Sequence, residues 1–402
     1  MLFELEETKN TSLDQYVWVK DNHIHMSKEI LSEIKENFSR DDIFAFMAKL
    51  IKEKQLPFPY FPYNKRQQKK KFSQLRIQDR TYLKEKWENQ NIEVNDLSYR
   101  GGYLLLPTST MSGNSLSDLF TQPIRLKATR HLEGRNERGT LPFIWQDLLD
   151  NGEVNPRTHR LLRNAYLEDK FDQKTFIRAG RLSGQMVTQF RPSVAKALYD
   201  LFDAQNVLDP SAGWGDRLVG FLASGAKSYI GIDPNTQLHQ PYGEIHKFYD
   251  PSRSVQTICL PSEDVDYSEL EYDFVFTSPP YFNVELYCNE DTQSIERYKD
   301  FEVWKEKYLF TTLKEVYKHL KVGGRIALNI CDNPKLKVTK DLISFMDSLG
   351  ATYEGIVGYE INIRPGAVRQ DHGSEKRGEP ILIWSKGEAP EPKWTQDNFF
   401  GV

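Results

Sequence analysis

Two loops in the sequence carry the residue types needed to transfer a group onto an aromatic amine. One loop, Thr277-Ser278-Pro279-Pro280-Tyr281-Phe282, follows an apolar run at 272–276 that is typical of a buried strand. The other, Asp209–Asp216, is rich in glycine, lies upstream and follows another strand-like run. A rigid Pro-Pro corner can hold a planar, amine-bearing ring, and a glycine-rich turn can hold a nucleoside. Together they predict transfer of a group onto the exocyclic amine of a base.

The two consecutive prolines fix the backbone of the first loop, so the carbonyl groups beside them point in set directions. We expect the Ser278 side chain and the Pro279 carbonyl to accept hydrogen bonds from an amine and to orient its nitrogen lone pair. Pro280 completes the corner, and Tyr281 is expected to stack on the ring. A target base within a duplex would have to be flipped out of the helix. The alternative interpretation is a proline-rich turn without a chemical role.

The glycine-rich loop is typical of a nucleoside-binding turn. Gly213 and Gly215 let the backbone approach a ligand closely. Asp209, at the end of the strand, suits a positively charged ligand such as a sulfonium that carries an amino acid group. The loop lacks the GxGxxG spacing of a dinucleotide site and the Lys-Ser/Thr pair of a phosphate loop. Taken alone, such a loop can equally be a simple turn.

Acidic residues follow the next two predicted strands. Asp233 lies about 20 residues beyond the glycines, the spacing at which a carboxylate accepts both hydroxyls of a ribose. Its alternative role is to cap a helix. After the third strand, Glu263 and Asp264 both offer a carboxylate that can bind an adenine amine, and we assign this role to Asp264.

The overall composition is that of an ordinary globular protein. The chain has 402 residues, of which 39% are hydrophobic and 27% charged, so two domains are expected. No apolar run approaches the ~18 residues of a membrane span, and the N-terminus lacks the pattern of a secretion signal. Cys259, Cys288 and Cys331 are widely spaced, which argues against a zinc site or disulfide framework. A reducing, cytoplasmic location is therefore expected.

Basic residues are concentrated in the N-terminal part of the chain. Residues 1–180 hold 29 Lys and Arg against 25 Asp and Glu, although the whole chain has a net charge of −4. The densest basic run, 65–71, includes Lys69, Lys70 and Lys71. These lysines are candidate contacts to nucleic acid phosphates, or else they form a solvated face.

Local patterns predict only scattered elements before residue 180. Residues 27–55 have a helical apolar stripe, and Ser27 is a suitable cap. The Pro-rich aromatic run 56–63 must break that helix, and its rings either fill the core or stack on bases. Short strands are expected at 101–107 and 139–145.

From Phe190 onwards the pattern becomes regular. Pro192 suits the first turn of a helix that runs to about residue 202. Helical segments, the longest at about 301–320, separate most of the predicted strands and indicate a mostly parallel sheet. No helix separates the last two strands, so one of them should enter antiparallel. The predicted strands are 206–209, 228–233, 256–260, 272–277, 325–330, 353–361 and 379–385.

On these motifs, residues from about 185 to 390 resemble an S-adenosyl-L-methionine-dependent amino-methyltransferase of the DNA N4-cytosine/N6-adenine group. The resemblance rests on the glycine-rich loop, Gly231-Ile232-Asp233-Pro234, and Thr277-Ser278-Pro279-Pro280-Tyr281. The segment beginning Phe190-Arg191-Pro192 resembles the part of the family that touches the methionine end of the cofactor. The cofactor-binding residues implied are Arg191, Pro192, Asp209, Pro210, Ser211, Gly213, Gly215, Asp233, Pro234, Asp264 and Thr277.

The resemblance implies an α/β fold, with a Rossmann-like seven-stranded methyltransferase sheet and helices on both faces at 181–402. Residues 1–180 are then a separate mixed or α-rich domain and a candidate for nucleic-acid recognition. Ser-Pro-Pro-Tyr is commoner in the N4-cytosine branch, so DNA cytosine is the preferred target and N6-adenine the alternative. A restriction or phage-associated partner is a further possibility within this family.

The chain has no room for a target-recognition domain between Asp233 and Thr277 or after Trp384. Recognition is expected from residues 1–180 or from two long loops. The loop that begins at Phe282 follows the catalytic motif directly, and the loop at 364–378 carries Arg364 and Arg369, which either meet phosphates or form a hairpin tip.

Three alternatives to methylation of a DNA amine remain open: methylation of an RNA amine, methylation of a protein glutamine, and a protein without catalytic activity. Related Pro-Pro-Tyr loops act on RNA amines and on a protein glutamine, and the basic stretch favours nucleic acid over protein. Cytosine C5 methylation is disfavoured because no cysteine follows a proline. An inactive nucleic-acid-binding protein is the alternative from a different class.

Overall fold

A computed structural model of the chain describes residues 12–77, 104–106, 113–130, 139–183, 186–332, 337–361 and 377–392. Arg364 and Arg369 lie outside the described residues. In the described part, no helix has both the length and the apolar character needed to span a membrane.

The described helices and strands alternate most regularly after residue 190. The helices are α1 (Lys28–Asn37), α2 (Arg40–Glu53), α3 (Lys65–Ile77), α4 (Asn114–Arg125), α5 (Leu141–Asn151), α6 (Pro156–Tyr166), α7 (Gln173–Ser183), α8 (Pro192–Leu201), α9 (Asp216–Ala223), α10 (His239–Tyr249), α11 (Ser294–Arg297), α12 (Phe301–Trp304), α13 (Thr311–His319) and α14 (Thr339–Ser348). The strands are β1 (Val19–Lys20), β2 (His23–Ile24), β3 (Leu104–Leu106), β4 (Thr129–Arg130), β5 (Asn206–Asp209), β6 (Ser228–Ile232), β7 (Ser254–Ile258), β8 (Phe274–Thr277), β9 (Glu285–Leu286), β10 (Arg325–Leu328), β11 (Thr352–Ile361) and β12 (Arg377–Ser385).

The chain divides into two compact units that are not contiguous in sequence. One unit contains Met1–Pro62 and Arg125–Val187, and the other contains Tyr63–Ile124 and Thr188–Val402. This differs from the single boundary expected at residue 180, because the segment 63–124 packs with the C-terminal unit. The basic run at 65–71 therefore belongs to the unit that contains the sheet.

The first unit is a helical bundle around its own apolar core. Ser27 begins α1 by accepting a hydrogen bond from the Ile30 backbone N–H, as its sequence position predicts. Phe58 packs edge-on against Trp145, with ring centroids 6.2 Å apart, so this ring of the aromatic run lies in the core. The strand expected at 139–145 is wrong: Thr140 occupies the N-cap position and Pro142 the first turn of α5. Five apolar or proline positions in a row resembled a strand, although proline at this place favours the start of a helix.

The second unit is built on an eight-stranded sheet with the order β3-β11-β12-β10-β8-β5-β6-β7. Seven of these strands correspond to the seven predicted ones. The eighth, β3, pairs in parallel with β11 and was predicted only as an isolated short strand. The antiparallel entry expected for the last two strands is confirmed, since β12 runs antiparallel to both β10 and β11. The result is a Rossmann-like α/β fold flanked by helices.

The strand order reverses direction between β5 and β8. From β5 the chain proceeds outwards through β6 to β7, and then returns to place β8 on the other side of β5. Val207 and Leu208 of β5 pair in parallel with Phe274 and Val275 of β8. In open α/β sheets, ligands bind beside the carboxyl ends of the strands at such a reversal point. The glycine-rich loop and the Ser-Pro-Pro-Tyr loop both begin there.

Candidate active site

A buried ion pair holds the start of the glycine-rich loop. The Nε atom of Arg217, in the first turns of α9, lies 2.8 Å from Oδ2 of Asp209 at the end of β5. The Tyr229 hydroxyl donates to the same oxygen at 2.7 Å. Burial opposes the charge on Arg217, but the Asp209 carboxylate outweighs it and raises the pKa of the guanidinium. Asp209 has no solvent exposure, so its predicted direct contact with a cationic ligand needs correction: it organises the loop from below.

Glycine is required at the two positions of this loop for different structural reasons. Both adopt positive φ values, 57° at Gly213 and 78° at Gly215, where L-residues with side chains are strained. A Cβ atom at Gly215 would also lie 2.8 Å from the Ile245 side chain. At Gly213 a Cβ would meet no atom closer than 3.7 Å. Gly215 is therefore required both by its positive φ and by packing, whereas Gly213 is required by its positive φ alone, since a Cβ there would make only ordinary contacts.

Asp233 joins this loop to the loop that follows β6. Its Oδ2 accepts the Gly213 backbone N–H at 2.8 Å, and its Oδ1 accepts the Asn235 N–H at 2.9 Å. The second of these bonds is a local turn cap, close to the alternative role expected from the sequence. Burial raises the pKa of Asp233 to about 6, although both backbone donors act in the opposite direction. Each carboxylate oxygen retains capacity for a further hydrogen bond.

Tyr308 also lies beside the glycine-rich loop, a contact that was not predicted from the sequence. Its hydroxyl lies 3.1 Å from Oγ of Ser211. Tyr308 belongs to a π-helical segment, Lys305–Phe310, that joins α12 to α13. Such widened turns occur most often at functional sites. A tyrosine on the apolar side of an amphipathic helical segment gives no local signal, so only the fold brings it to the glycine-rich loop.

The carboxylates after β7 are already paired. Arg297 donates to Asp264 at 2.8 Å and to Glu263 at 2.7 Å. The Asp264 side chain is 45% exposed, whereas that of Glu263 is only 3% exposed. Glu263 Oε2 is buried and lacks a hydrogen-bond partner among the described residues. Of the two carboxylates, Glu263 is therefore the better candidate for an unfilled bond at this position. Burial also raises the pKa of Glu263.

The rigid corner begins at the end of β8. The Thr277 carbonyl accepts the Asn329 backbone N–H at 2.9 Å, which ties the corner to the end of β10. The Thr277 hydroxyl is buried without a partner in the described part of the chain. Pro279 is buried, and Ser278 and Pro280 are half-buried, so Ser278 and Pro280 keep part of their surface exposed.

The two aromatic residues of this loop, Tyr281 and Phe282, both pack against the apolar core of the second unit. The Tyr281 hydroxyl lies 3.4 Å from the Asn329 carbonyl and 3.3 Å from Oε1 of Glu379. Phe282 has a positive φ of 45° and packs edge-on against Phe301, with ring centroids 5.6 Å apart. Its ring is engaged with the core, and its predicted contact with nucleic acid stays a prediction.

The segment after the corner folds back over the loop that follows β6. The Thr236 hydroxyl donates to Glu290 at 2.6 Å, and the Thr292 hydroxyl approaches the Pro234 carbonyl at 3.4 Å. Tyr287 packs edge-on against Trp214 of the glycine-rich loop. The two predicted loops are therefore joined physically by residues 285–297. No sequence motif predicts these contacts.

The remaining predicted cofactor residues lie beside the same strand ends. Pro210 is buried directly after β5. Arg191 is the half-buried N-cap of α8, and Pro192 is buried in its first turn, as predicted. Phe190, just before them, packs edge-on against Phe276 of β8 with centroids 5.3 Å apart.

The three candidate lysines of α3 do not form one exposed patch. The Lys71 ammonium donates to Ser115 of α4 at 3.3 Å and is half-buried. The Lys69 ammonium lies 4.9 Å from the centre of the Phe248 ring in α10. Lys70 is exposed. Part of this basic run therefore packs α3 against α4 and α10 within the second unit.

Comparison with known proteins identifies methyltransferase structures of low similarity. No family model and no curated protein matches the chain. A precorrin-6y C5,15-methyltransferase from Geobacter metallireducens is 14% identical and has a TM-score of 0.35, covering 50% of this chain and 90% of its own. An rRNA methylase from Streptococcus thermophilus is 13% identical with a TM-score of 0.32, covering 50% and 99%. A SAM-dependent O-methyltransferase from Thermotoga maritima is 12% identical with a TM-score of 0.32, covering 50% and 67%. Similarity at this level does not identify a substrate.

The arrangement combines three chemical features at one sheet edge. A glycine turn with a left-handed backbone lies beside β5, a buried carboxyl with a raised pKa lies beside β6, and the Pro-Pro turn with its half-buried Ser278 lies beside β8. Such a set can hold a nucleoside on one side and an amine on the other.

Proposed function

We propose that this protein is an S-adenosyl-L-methionine-dependent methyltransferase that methylates the exocyclic amine of a flipped base in DNA, with cytosine N4 as the preferred target. One observation carries the proposal: the glycine-rich loop and the Ser-Pro-Pro-Tyr loop leave neighbouring parallel strands at the point where the strand order reverses. A donor nucleoside and an acceptor amine bound to these loops would face one another.

The residues around the glycine-rich loop fit this cofactor. The left-handed backbone at Gly213 and Gly215 shapes the turn on which the nucleoside would rest. Asp233 is placed to accept the ribose hydroxyls on its remaining lone pairs, and Ser211 and Tyr308 offer hydroxyl groups nearby. When bound, the cofactor supplies an electrophilic methyl group on a positively charged sulfur.

The rigid corner acts on the amine. Ser278 Oγ and the Pro279 carbonyl accept the hydrogen bonds of the exocyclic nitrogen, which orients its lone pair toward the donor. Tyr281 stacks on the base and holds it in the plane that the corner requires. Because these groups are preorganised by β8 and β10, little rearrangement is needed when the base enters.

The preference for cytosine rests on Ser278, since the resemblance links serine at this place with N4-cytosine enzymes. Adenine N6 in DNA and amines in RNA are the alternatives. The cytoplasmic location, a restriction or phage-associated partner, and contacts from Lys69, Lys70, Arg364 and Arg369 stay predictions.

Nucleoside mass analysis tests the proposal directly. Purified protein is incubated with methyl-labelled cofactor and, in parallel, with unmethylated DNA and unmodified RNA. We expect label on N4-methylcytosine from DNA, and its absence when Ser278→Ala replaces the wild type. Label on N6-methyladenine would change the target base, label confined to RNA would change the substrate class, and cofactor binding without any labelled nucleoside would contradict the proposal.

A further inference from the structure

One carboxylate beside the rigid corner has no role in the proposed reaction so far. Glu379 lies on β12, where it pairs across the sheet with Tyr359 of β11. Its Oε2 accepts the Tyr359 hydroxyl at 2.6 Å, and its Oε1 accepts the Tyr281 hydroxyl at 3.3 Å. Two phenols from different parts of the chain therefore converge on one half-buried carboxylate.

The surroundings of the Tyr281 hydroxyl are fixed by the sheet. The Asn329 carbonyl lies 3.4 Å from this hydroxyl, and the Asn329 side chain is itself held by the Pro380 carbonyl at 2.9 Å. Burial raises the pKa of the Tyr281 phenol, and the charge of Glu379 acts in the same direction. The phenol therefore remains protonated and donates.

Orientation of the Tyr281 ring matters because the ring is proposed to stack on the target base. The prolines fix φ at positions 279 and 280, but they leave the side-chain torsions of Tyr281 free. A hydrogen bond at the far end of the ring removes this remaining freedom, and the bond is stronger when the acceptor is charged. Tyr359 in turn fixes the carboxylate, since a hydroxyl at 2.6 Å occupies its second oxygen.

We propose that Glu379 is a positioning residue that sets the plane of the Tyr281 ring, an inference that rests on the proposed function. Because both of its oxygens already accept hydroxyl groups, Glu379 acts through orientation and does not remove a proton from the substrate. Glu379 therefore affects how firmly the base is held. The loops proposed to bind the cofactor follow other strands, so cofactor binding should not depend on Glu379.

The test uses Glu379→Gln, Tyr281→Phe and the double variant, with unmethylated DNA and labelled cofactor. We expect each single variant to lower kcat by about tenfold while the KM for cofactor is unchanged, as for a misplaced group. The double variant should lose no more than either single variant, because the two changes break one interaction. Tyr359→Phe, which keeps the bond to Tyr281, should have a smaller effect. Additive losses, or normal kcat in Glu379→Gln, would overturn the inference.

A second measurement does not depend on turnover. A 3-fluorotyrosine placed at position 281 reports the ring environment by fluorine NMR. We expect one narrow line in the wild type and a shifted or broadened line in Glu379→Gln. If no nucleoside is labelled but the line changes, the proposed function fails and the positioning role stands. An unchanged line removes the positioning role whether or not the enzyme is active.

Discussion

The side chains of Arg217 and Asp209 form an ion pair of 2.8 Å in which both are almost completely buried. Asp209 ends β5 and Arg217 lies in α9, so the pair spans the glycine-rich loop and closes it at its base. Arg217 also donates to the Ser211 carbonyl within the loop. The shape of the proposed cofactor site thus depends on a charge pair that does not face the ligand.

Removing one partner of this pair should be strongly destabilising. Arg217→Met leaves the Asp209 carboxylate buried without its counter-charge, which lowers the free energy of unfolding by about 3–5 kcal/mol. Urea unfolding measures this change, and calorimetry should show weaker cofactor binding. The double variant Asp209→Asn/Arg217→Met should recover most of the stability. Arg76→Met, which breaks a pair with Asp250 in which the arginine is 51% exposed, should change stability by less than about 1 kcal/mol. Equal effects at both sites would contradict the structural role of the buried pair.

Asp233 should make both stability and cofactor affinity depend on pH. Its pKa is about 6 in the folded protein against 3.8 as the reference value, so the folded state holds an extra proton between these values. The free energy of unfolding should therefore fall by about 3 kcal/mol as the pH rises from 3.8 to 6. Asp233→Asn removes this dependence, and urea unfolding of both proteins across this range measures the difference.

Cofactor binding should depend on the same proton with the opposite sign. The ionised carboxylate is the better acceptor for ribose hydroxyls, so affinity should fall as the pH drops below about 6. At pH 8, Asp233→Ala should weaken the cofactor Kd by about tenfold or more, the loss expected for hydrogen bonds to a charged group. Calorimetry that finds unchanged affinity would assign Asp233 to turn capping alone.

The sheet was predictable because its strands are short apolar runs bounded by glycine, proline and aspartate. The loops at 209–216 and 277–282 could be placed at one edge because parallel strands end on the same side. The pairing of β3 with β11 could not be predicted, since three leucines do not specify a partner strand. Nor could the role of Tyr308, which comes from a helical segment distant in sequence from the loop it contacts. Arg217 follows the loop directly, but its pairing with Asp209 depends on how α9 packs on the end of β5.

The wrong strand prediction came from a short segment whose apolar residues fit both a strand and a helix. The run Leu141–Trp145 is equally compatible with a strand and with the first turns of α5, and the capping position of Thr140 decides between them. For the basic run of α3, the sequence left two interpretations open, a phosphate-binding patch or a solvated face. The positions three and four residues apart that pack, Gln68, Lys71 and Phe72, show that part of this face is internal.

The lysines of α3 should separate into phosphate contacts and packing residues. Lys70→Ala removes an exposed cation, so the slope of log affinity against log salt for a fluorescent DNA duplex should decrease by about one. Lys71→Ala breaks the bond to Ser115 and should lower the thermal midpoint with little change in the slope. Lys307→Ala is an exposed control outside α3. A slope that is unchanged in Lys70→Ala would return this residue to the solvated surface.

Glu263 and Asp264 should differ in their effect on the cofactor. Asp264→Ala removes a half-exposed partner of Arg297 and is expected to change the cofactor Kd by less than about twofold, as exposed pairs contribute little. Glu263→Gln alters a buried carboxylate that has an unfilled acceptor, and we expect a loss of about tenfold, the effect of one hydrogen bond to a charged group. Calorimetry with both variants compares them directly. The reverse order of effects would restore the assignment to Asp264.

The hydroxyls of Ser278 and Thr277 are neighbours in sequence but should affect different steps. Ser278 is half-buried at the corner, so Ser278→Ala removes an acceptor for the amine and should lower kcat by about 10²–10³-fold without changing cofactor affinity. The Thr277 hydroxyl is buried and unpartnered within the described residues, so Thr277→Val should leave the free energy of unfolding unchanged or raise it slightly. If that hydroxyl binds the cofactor, Thr277→Val weakens the Kd while a saturating concentration restores turnover. Rapid-quench measurements of a single turnover separate the two effects. Near-normal methylation by Ser278→Ala would show that the corner holds the amine through its backbone alone.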